Sequence, residues 1–337
     1  MMQTVTVARR AMATRFEMLL HGENAVALRA AGEQALDEIE RLEAQLSLYR
    51  TTSELSLVNR HAAARPVRVS PPVFRLLEHA RRLHAQTEGA FDITVAPLVR
   101  CWGFMGGSGS MPTPEAVAEA RARVGMHLVE LCEVESTVRF TTDGVMLDLG
   151  ALGKGYAIDC AAETLREAGV ASALFHSGTS SVYALGQPPD AAAWKTAIPR
   201  PEAAVDHEAL PRGAGNAEAV LATVTLRDES LGVSGVLGKC FQAGDRTYGH
   251  VIDPRAGEPA QRALLAAVVL PSATEADALS TALLTLGPEG FERIVRLRPG
   301  LRALLLPVGS GPEDARLLTR GLEPARPVQP SARTTPQ

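Results

Sequence analysis

From residue 24 to residue 48, apolar side chains return at Leu28, Ala31, Ala35, Leu36, Ile39, Leu42 and Leu46, with glutamates and arginines between them. Steps of three and four place these residues on one face of a helix, which then needs an apolar surface to cover it. Residues 71–86 predict a second helix, with proline at its start, where a missing N–H costs nothing. Further helices are expected over 115–124, 153–168, 274–286 and 288–297. Alternating stretches predict a strand pair over Thr4 to Leu20 and two strands over 172–185 that meet at Ser177-Gly178. More strands are expected at 220–227, 247–252, 264–271 and 301–307. Gly89 to Leu98 reads as a turn and strand, and Thr137 to Leu149 as two short strands around Asp143-Gly144. Helices and strands mix without a regular βαβ alternation and without repeats. This favours an α+β fold over a doubly wound sheet: one compact domain of mixed sheets flanked by helices.

Gly106 to Pro114 and Pro199 to Ala219 read as surface loops. One domain is expected over residues 1–323. Residues 324–337 (PARPVQPSARTTPQ) have the composition of a disordered tail.

The chain has 337 residues and a formal net charge of −4, so no global positive field is available to hold nucleic acid. Cys101, Cys132, Cys160 and Cys240 are scattered and include no C-x-x-C pair, which argues against a cysteine zinc site or a disulfide framework. The first twenty residues lack the order of a secretory signal, and no run approaches about 18 apolar residues. A cytoplasmic location without membrane insertion is the expectation.

Four segments can carry chemistry. In Ala273-Thr-Glu-Ala-Asp-Ala-Leu-Ser-Thr281, helical spacing makes Asp277 and Thr281 neighbours. A carboxylate beside a hydroxyl offers hard oxygen donors suited to Mg²⁺; the bland alternative is an exposed helix start. In Leu147-Asp148-Leu-Gly150-Ala151-Leu-Gly153-Lys154-Gly155-Tyr156, a strand passes through a glycine-rich turn into a helix. Free N–H groups there attract phosphate and Lys154 adds charge, although an ordinary tight turn has the same look. In Tyr248-Gly-His250-Val-Ile-Asp253-Pro-Arg255, His250 suits proton transfer near neutral pH or merely anchors a turn. In Gly89-Ala90-Phe91-Asp92-Ile-Thr94, Asp92 and Thr94 share one side of the expected strand, where they could bond a polar ring or backbone. Trp102 and Phe104 are expected in the core, and Tyr49 either stacks on an aromatic ligand or covers the core edge.

Six pieces in order resemble the FAD:protein FMN transferase family, also called the ApbE family. They are Met12-Ala-Thr14 with Phe16; Tyr49 with Ser53-Glu-Leu-Ser56 and Asn59; GAFDITVAPL with WGF; LDLGALGKGYAID; YGHVIDPRAGEP; and ATEADALSTALLTLG. The resemblance spans about residues 5–305 and implies FAD as substrate in a central cleft. It also implies Mg²⁺ held by Asp277, Thr281 and the backbone of Ala151. Flavin contacts are implied at Met12, Tyr49, Ala90, Phe91, Asp92, Asp148, Lys154 and Ile252, and a catalytic role at His250. The implied reaction moves FMN from FAD to a Thr or Ser hydroxyl of an acceptor flavoprotein or redox-complex subunit and releases AMP. A FAD pyrophosphatase and a non-catalytic flavin-binding module are the alternatives. Two segments depart from the family pattern: His176-Ser177-Gly178-Thr179-Ser180-Ser181, and Val233-Ser234-Gly235-Val236-Leu237-Gly238.

Overall fold

The computed structural model describes residues 1–201, 220–236, 238–309 and 316–324. The chain opens with a hairpin, β1 (Gln3–Ala11) and β2 (Thr14–Gly22). Its two-residue turn, Met12-Ala13, lies at φ 49° and 59°. Such a turn matches the twist of the strands but disfavours side chains bearing a Cβ, so Met12 sits in a strained conformation. The periodic run forms α1 (Ala25–Leu46), and all seven of its apolar positions are buried. Asn24 caps it by accepting from Val26 N and Ala27 N.

Next come α2 (Glu54–His61), β3 (Val67–Arg68), α3 (Pro71–Gln86), α4 (Ala96–Cys101), α5 (Pro114–Arg121), β4 (Val129–Cys132) and β5 (Thr137–Phe140). Two expectations fail in this stretch. Residues 89–95 form turns rather than a strand, because Asp92 Oδ1 accepts from both Thr94 N and Thr94 Oγ1 and folds the backbone over itself. No hairpin forms around Asp143-Gly144 either: β5 pairs with β3 and β4, and the chain after it runs without strand into α6 (Gly153–Glu167).

The remaining elements are β6 (Ser172–Ser177), β7 (Ser181–Leu185), β8 (Trp194–Pro199), β9 (Val220–Leu226), β10 (Glu229–Gly235), β11 (Cys240–Ala243), β12 (Arg246–Gly249), β13 (Ile252–Asp253), β14 (Glu258–Pro259), β15 (Ala263–Leu270), α7 (Ala273–Leu286), α8 (Phe291–Arg296), β16 (Arg302–Pro307) and β17 (Leu318–Arg320). Pro199 closes β8, and the rest of the loop expected there lies mostly outside the described residues. So does the expected tail beyond Pro324, which itself bridges to Ala222.

An eight-stranded sheet in the order β1-β2-β6-β7-β10-β15-β16-β17 organises the molecule, and every pairing in it is antiparallel. On one face α1, α6 and α7 cover Val7, Phe16, Met18, Phe175 and Val268. On the other the antiparallel β8–β9 pair lays Trp194, Ile198, Val224 and Leu226 over Val182, Leu231, Val269 and Leu304. Covered on both faces, β15 is buried at seven of its eight positions (Ala263–Leu270) and shows no alternation. This is the expected α+β arrangement, helices against sheets.

The start of α7 is pinned by Glu275, which bonds His79 Nε2 at 3.1 Å and Arg298 Nε and Nη2 at 2.7 Å each. Burial pushes its carboxyl up, but the bonds from His79 and Arg298 outweigh burial and hold it at about 2, against an ordinary 4.5. A depressed carboxyl stabilises the fold fully above its unfolded value and loses that contribution as pH falls through the folded value. Glu275→Gln is therefore expected to cost about 1–3 kcal/mol at neutral pH. It should also remove the part of the wild-type acid destabilisation that falls between pH 4.5 and about 2. Urea unfolding of both proteins as a function of pH checks this; parallel curves would refute it.

Candidate functional site

Two helices that cap one another build the site. Leu152, which precedes α6, offers no side-chain cap, so the first N–H groups of that helix need other acceptors. Asp277 of α7 supplies one: its Oδ2 accepts from Gly155 N at 2.9 Å. In return Asp159 of α6 accepts from Ala273 N and Thr274 N at 2.8 and 3.0 Å, and from the Ser272 and Thr274 hydroxyls. The helices meet so closely that a Cβ on Gly155 would fall far inside contact with the Ala273 carbonyl and 2.7 Å from Thr274 N. On its other side α7 presses on β10, where a Cβ on Gly232 would stand 2.5 Å from the Ala276 carbonyl oxygen.

This clamp buries Asp277. Burial raises its carboxyl, while Lys154, the Ser181 hydroxyl and the Gly155 N–H pull it down again. Ser181 Oγ donates to Asp277 Oδ1 at 2.7 Å. One turn along, Thr281 Oγ1 and Ser280 Oγ donate to the Asp277 backbone carbonyl. Ser234 Oγ lies 2.9 Å from Ser280 Oγ and 3.0 Å from Thr281 Oγ1.

Lys154, in the first turn of α6, joins the predicted segments electrostatically. Its charge acts on Asp148, Asp277 and His250. Asp148 Oδ1 accepts from Gly150 N at 2.8 Å, and its carboxyl is raised by burial against the opposing Gly150 and Lys154 contributions. The backbone N–H of Asp148 donates to Ile93 O at 2.7 Å, which brings the 90–93 turn alongside. Asn59 secures the same strand-like stretch by bonding both the N–H and the carbonyl of Leu147, as a neighbouring strand would. Tyr49 is mostly exposed, and the partial burial of its phenol, followed by the Asp148 charge, pushes it up.

His250 follows β12, and its backbone N–H donates to Lys239 O at 2.9 Å. Burial lowers the imidazole, as do the Lys154 and Lys239 charges, while hydrogen bonding at Lys239 opposes them. The ring is therefore neutral near pH 7 and able to accept a proton. Its Nδ1 is buried without a partner.

Other candidates stand differently. Phe91 and Ala90 belong to the main core, and Ile252 packs with Leu98, Trp102 and Phe104 in a smaller one. Any ligand contact at these positions has to use backbone. Asp92 is buried with Thr94 and stands 3.5 Å from His84 Nε2, so its carboxylate already has partners. Trp102 is core, as expected, and its indole N–H donates to Gly257 O. Ala151 is half-buried in the turn before α6. Met12 occupies the strained tip of the first hairpin. Sequence reasoning missed Ser181, Ser234 and Asp159; for Ser181 the hydroxyl-rich run Ser177-Gly-Thr-Ser-Ser181 was the available signal.

Asp277 and Thr281, one turn apart on α7, offer only hard oxygen donors. No group of three His, Cys, Asp or Glu side chains able to hold a metal occurs among the described residues. One carboxylate with neutral oxygens fits Mg²⁺, which takes few protein ligands and keeps places for water and phosphate. It does not fit zinc.

A family model described as "ApbE family" matches residues 12–305, well over half the chain. The chain belongs to the ApbE family. It is 32% identical over 277 residues to a protein of Klebsiella pneumoniae named FAD:protein FMN transferase, a match covering 81% of this chain and 75% of that one. The flavin transferase ApbE of Vibrio cholerae superposes with a TM-score of 0.78 at 25% identity, over 95% of this chain and 98% of that one. The ApbE protein of Thermotoga maritima gives a TM-score of 0.80 at 24% identity, over 95% and 97% of the two chains, and supports the fold. The six ordered motifs thus belong to a shared fold. Within that ApbE fold, no helix among the described residues is long and apolar enough to cross a membrane.

Proposed function

We propose that this ApbE-family chain is an FMN transferase that splits FAD with Mg²⁺ and attaches the FMN half to a threonine or serine hydroxyl of an acceptor protein, releasing AMP. The observation that carries the reading is Asp277: a buried carboxylate held at the crossing of two helices by the Gly155 N–H and the Ser181 hydroxyl, with Thr281 bonded to its backbone one turn along and the Lys154 charge acting on it. The function for which the relatives are named supports the same reaction. Asp277, Thr281 and the Ala151 carbonyl are the proposed ligands of Mg²⁺, which when bound would neutralise negative charge on the pyrophosphate oxygens.

The residues then divide the work. Lys154, in the first turn of α6, attracts the pyrophosphate with its ammonium charge. Tyr49, Asp148 and the backbone of Met12, Ala90, Phe91, Asp92 and Ile252 border the flavin half. The acceptor hydroxyl attacks the FMN-side phosphorus, a phosphorus–oxygen bond forms, and the bond to AMP breaks. His250, neutral because it is buried, takes the hydroxyl proton. The acceptor is a protein of flavin-dependent redox function in this reading.

His250→Ala is expected to slow transfer by about a hundredfold or more and to leave FAD affinity nearly unchanged. Rates of AMP release and the quenching of FAD fluorescence measure the two effects separately. An equal loss of binding and rate would make His250 a structural residue.

A further inference from the structure

We infer that Ser181 and Ser234 are positioning residues, hydroxyls from β7 and β10 that hold the Asp277 carboxylate and the Thr281 hydroxyl in the orientation a divalent cation requires. The inference rests on the proposed role of Asp277 and Thr281 as cation ligands.

The geometry begins with the ladder. Ser181 lies opposite Ser177 on β6 and opposite Gly232 on β10. Because Gly232 has no side chain, α7 settles onto the sheet there and brings Asp277 within reach of β7. A carboxylate only accepts, so the fully buried Ser181 hydroxyl has to be the donor of the 2.7 Å bond to Oδ1. Gly155 N holds Oδ2 from the opposite helix. One donor on each oxygen fixes the plane of the group and leaves each oxygen a free lone pair for a cation. Without Ser181 the group is tethered at one oxygen and the other is a buried acceptor without a partner.

The second hydroxyl acts on the other ligand. Thr281 and Ser280 both donate to the Asp277 carbonyl, at 3.1 and 3.0 Å. With those two protons committed, Ser234 has to donate toward the pair. Thr281 therefore directs its proton back into its own helix, and its oxygen presents lone pairs to the site. A hydroxyl ligates a cation through its lone pairs, so this arrangement prepares Thr281 for the role. Both serines come from the two segments whose sequence departs from the family pattern.

The ladder provides an internal control. Ser177 is as buried as Ser181 and sits directly across from it, yet its hydroxyl has no partner. Ser177→Ala removes the same atom from the same layer without touching Asp277.

The test uses the full chain without FAD and Mn²⁺ as the probe, titrated by electron paramagnetic resonance of the free ion. Ser181→Ala is expected to weaken Mn²⁺ binding about tenfold or more, the range for groups that orient metal ligands. With FAD and acceptor present, it should raise the Mg²⁺ concentration for half-maximal AMP release more than it lowers the saturated rate. Ser181→Thr should restore both, Ser234→Ala should act in the same direction, and Ser177→Ala should change neither. Wild-type Mn²⁺ affinity in Ser181→Ala would overturn the inference, as would equal losses in Ser177→Ala and Ser181→Ala. If the extra methyl of Ser181→Thr unfolds the chain, the comparison of the two alanine variants decides alone. Asp277→Ala separates the two levels: Mn²⁺ binding retained in that variant refutes the metal assignment itself. Binding lost there but kept in Ser181→Ala refutes only the positioning role.

Discussion

Asp277→Ala is expected to reduce AMP release from FAD by about a thousandfold or more while the chain stays folded. The reason is the concentration of function in one carboxylate. It is the only charged donor in the proposed oxygen set. Losing it removes the charge stabilisation a bound cation supplies, worth several kcal/mol at about 1.4 kcal/mol per tenfold in rate. Its structural part is smaller. Truncation leaves the Ser181 hydroxyl and the Gly155 N–H without partners, at about 1–3 kcal/mol each. It also removes the cost of keeping a carboxylate in a buried place, which offsets part of that loss. Chromatography of released AMP, mass analysis of the acceptor and thermal unfolding of the variant measure the three quantities. Full AMP release would refute the assignment, and loss of the folded state would make Asp277 chiefly a helix cap.

Gly155→Ala, although a conservative change, is expected to be strongly destabilising. Helix propensity alone favours alanine by up to about 1 kcal/mol. Against this, the added methyl would occupy space already filled by the Ala273 carbonyl and the Thr274 nitrogen. These are backbone atoms at a helix start held by Asp159, so they cannot rotate aside. Forced separation of α6 and α7 should cost about 3 kcal/mol or more. It also stretches the Gly155 bond to Asp277, so activity should fall with stability. Gly153→Ala, two residues earlier in the same turn, meets only the Leu149 Cβ at 3.7 Å, an ordinary contact, and should be neutral or mildly stabilising. Urea midpoints of the two variants give the comparison. Equal stability would show that α6 and α7 do not meet as closely as described.

Much of the fold is legible in the amino-acid sequence. The run from Leu28 to Leu46 specifies α1 because burial of one face follows directly from a 3.6-residue period. Pro71 marks the start of α3, and spacing makes Asp277 and Thr281 neighbours, since an i, i+4 relation is a property of the helix itself. Expectations fail where a side chain competes with the backbone pattern. Alternation around Asp92 suggests a strand, but its carboxylate bonds Thr94 two residues on and closes a turn. Asp143-Gly144 carries a hairpin signal, but β5 finds its partners in β3 and β4 instead.

Local periodicity and ordered motifs suffice for the helices, most of the strands, the α+β class and the family, because they are properties of neighbours along the chain. Long-range packing alone makes α6 and α7 cap each other, lets Gly155 and Gly232 open the space that α7 needs, and carries Ser181 to Asp277 across 96 positions. A buried carboxylate has to find its donors wherever packing brings them, and that choice depends on distance in space, which no spacing along the chain records.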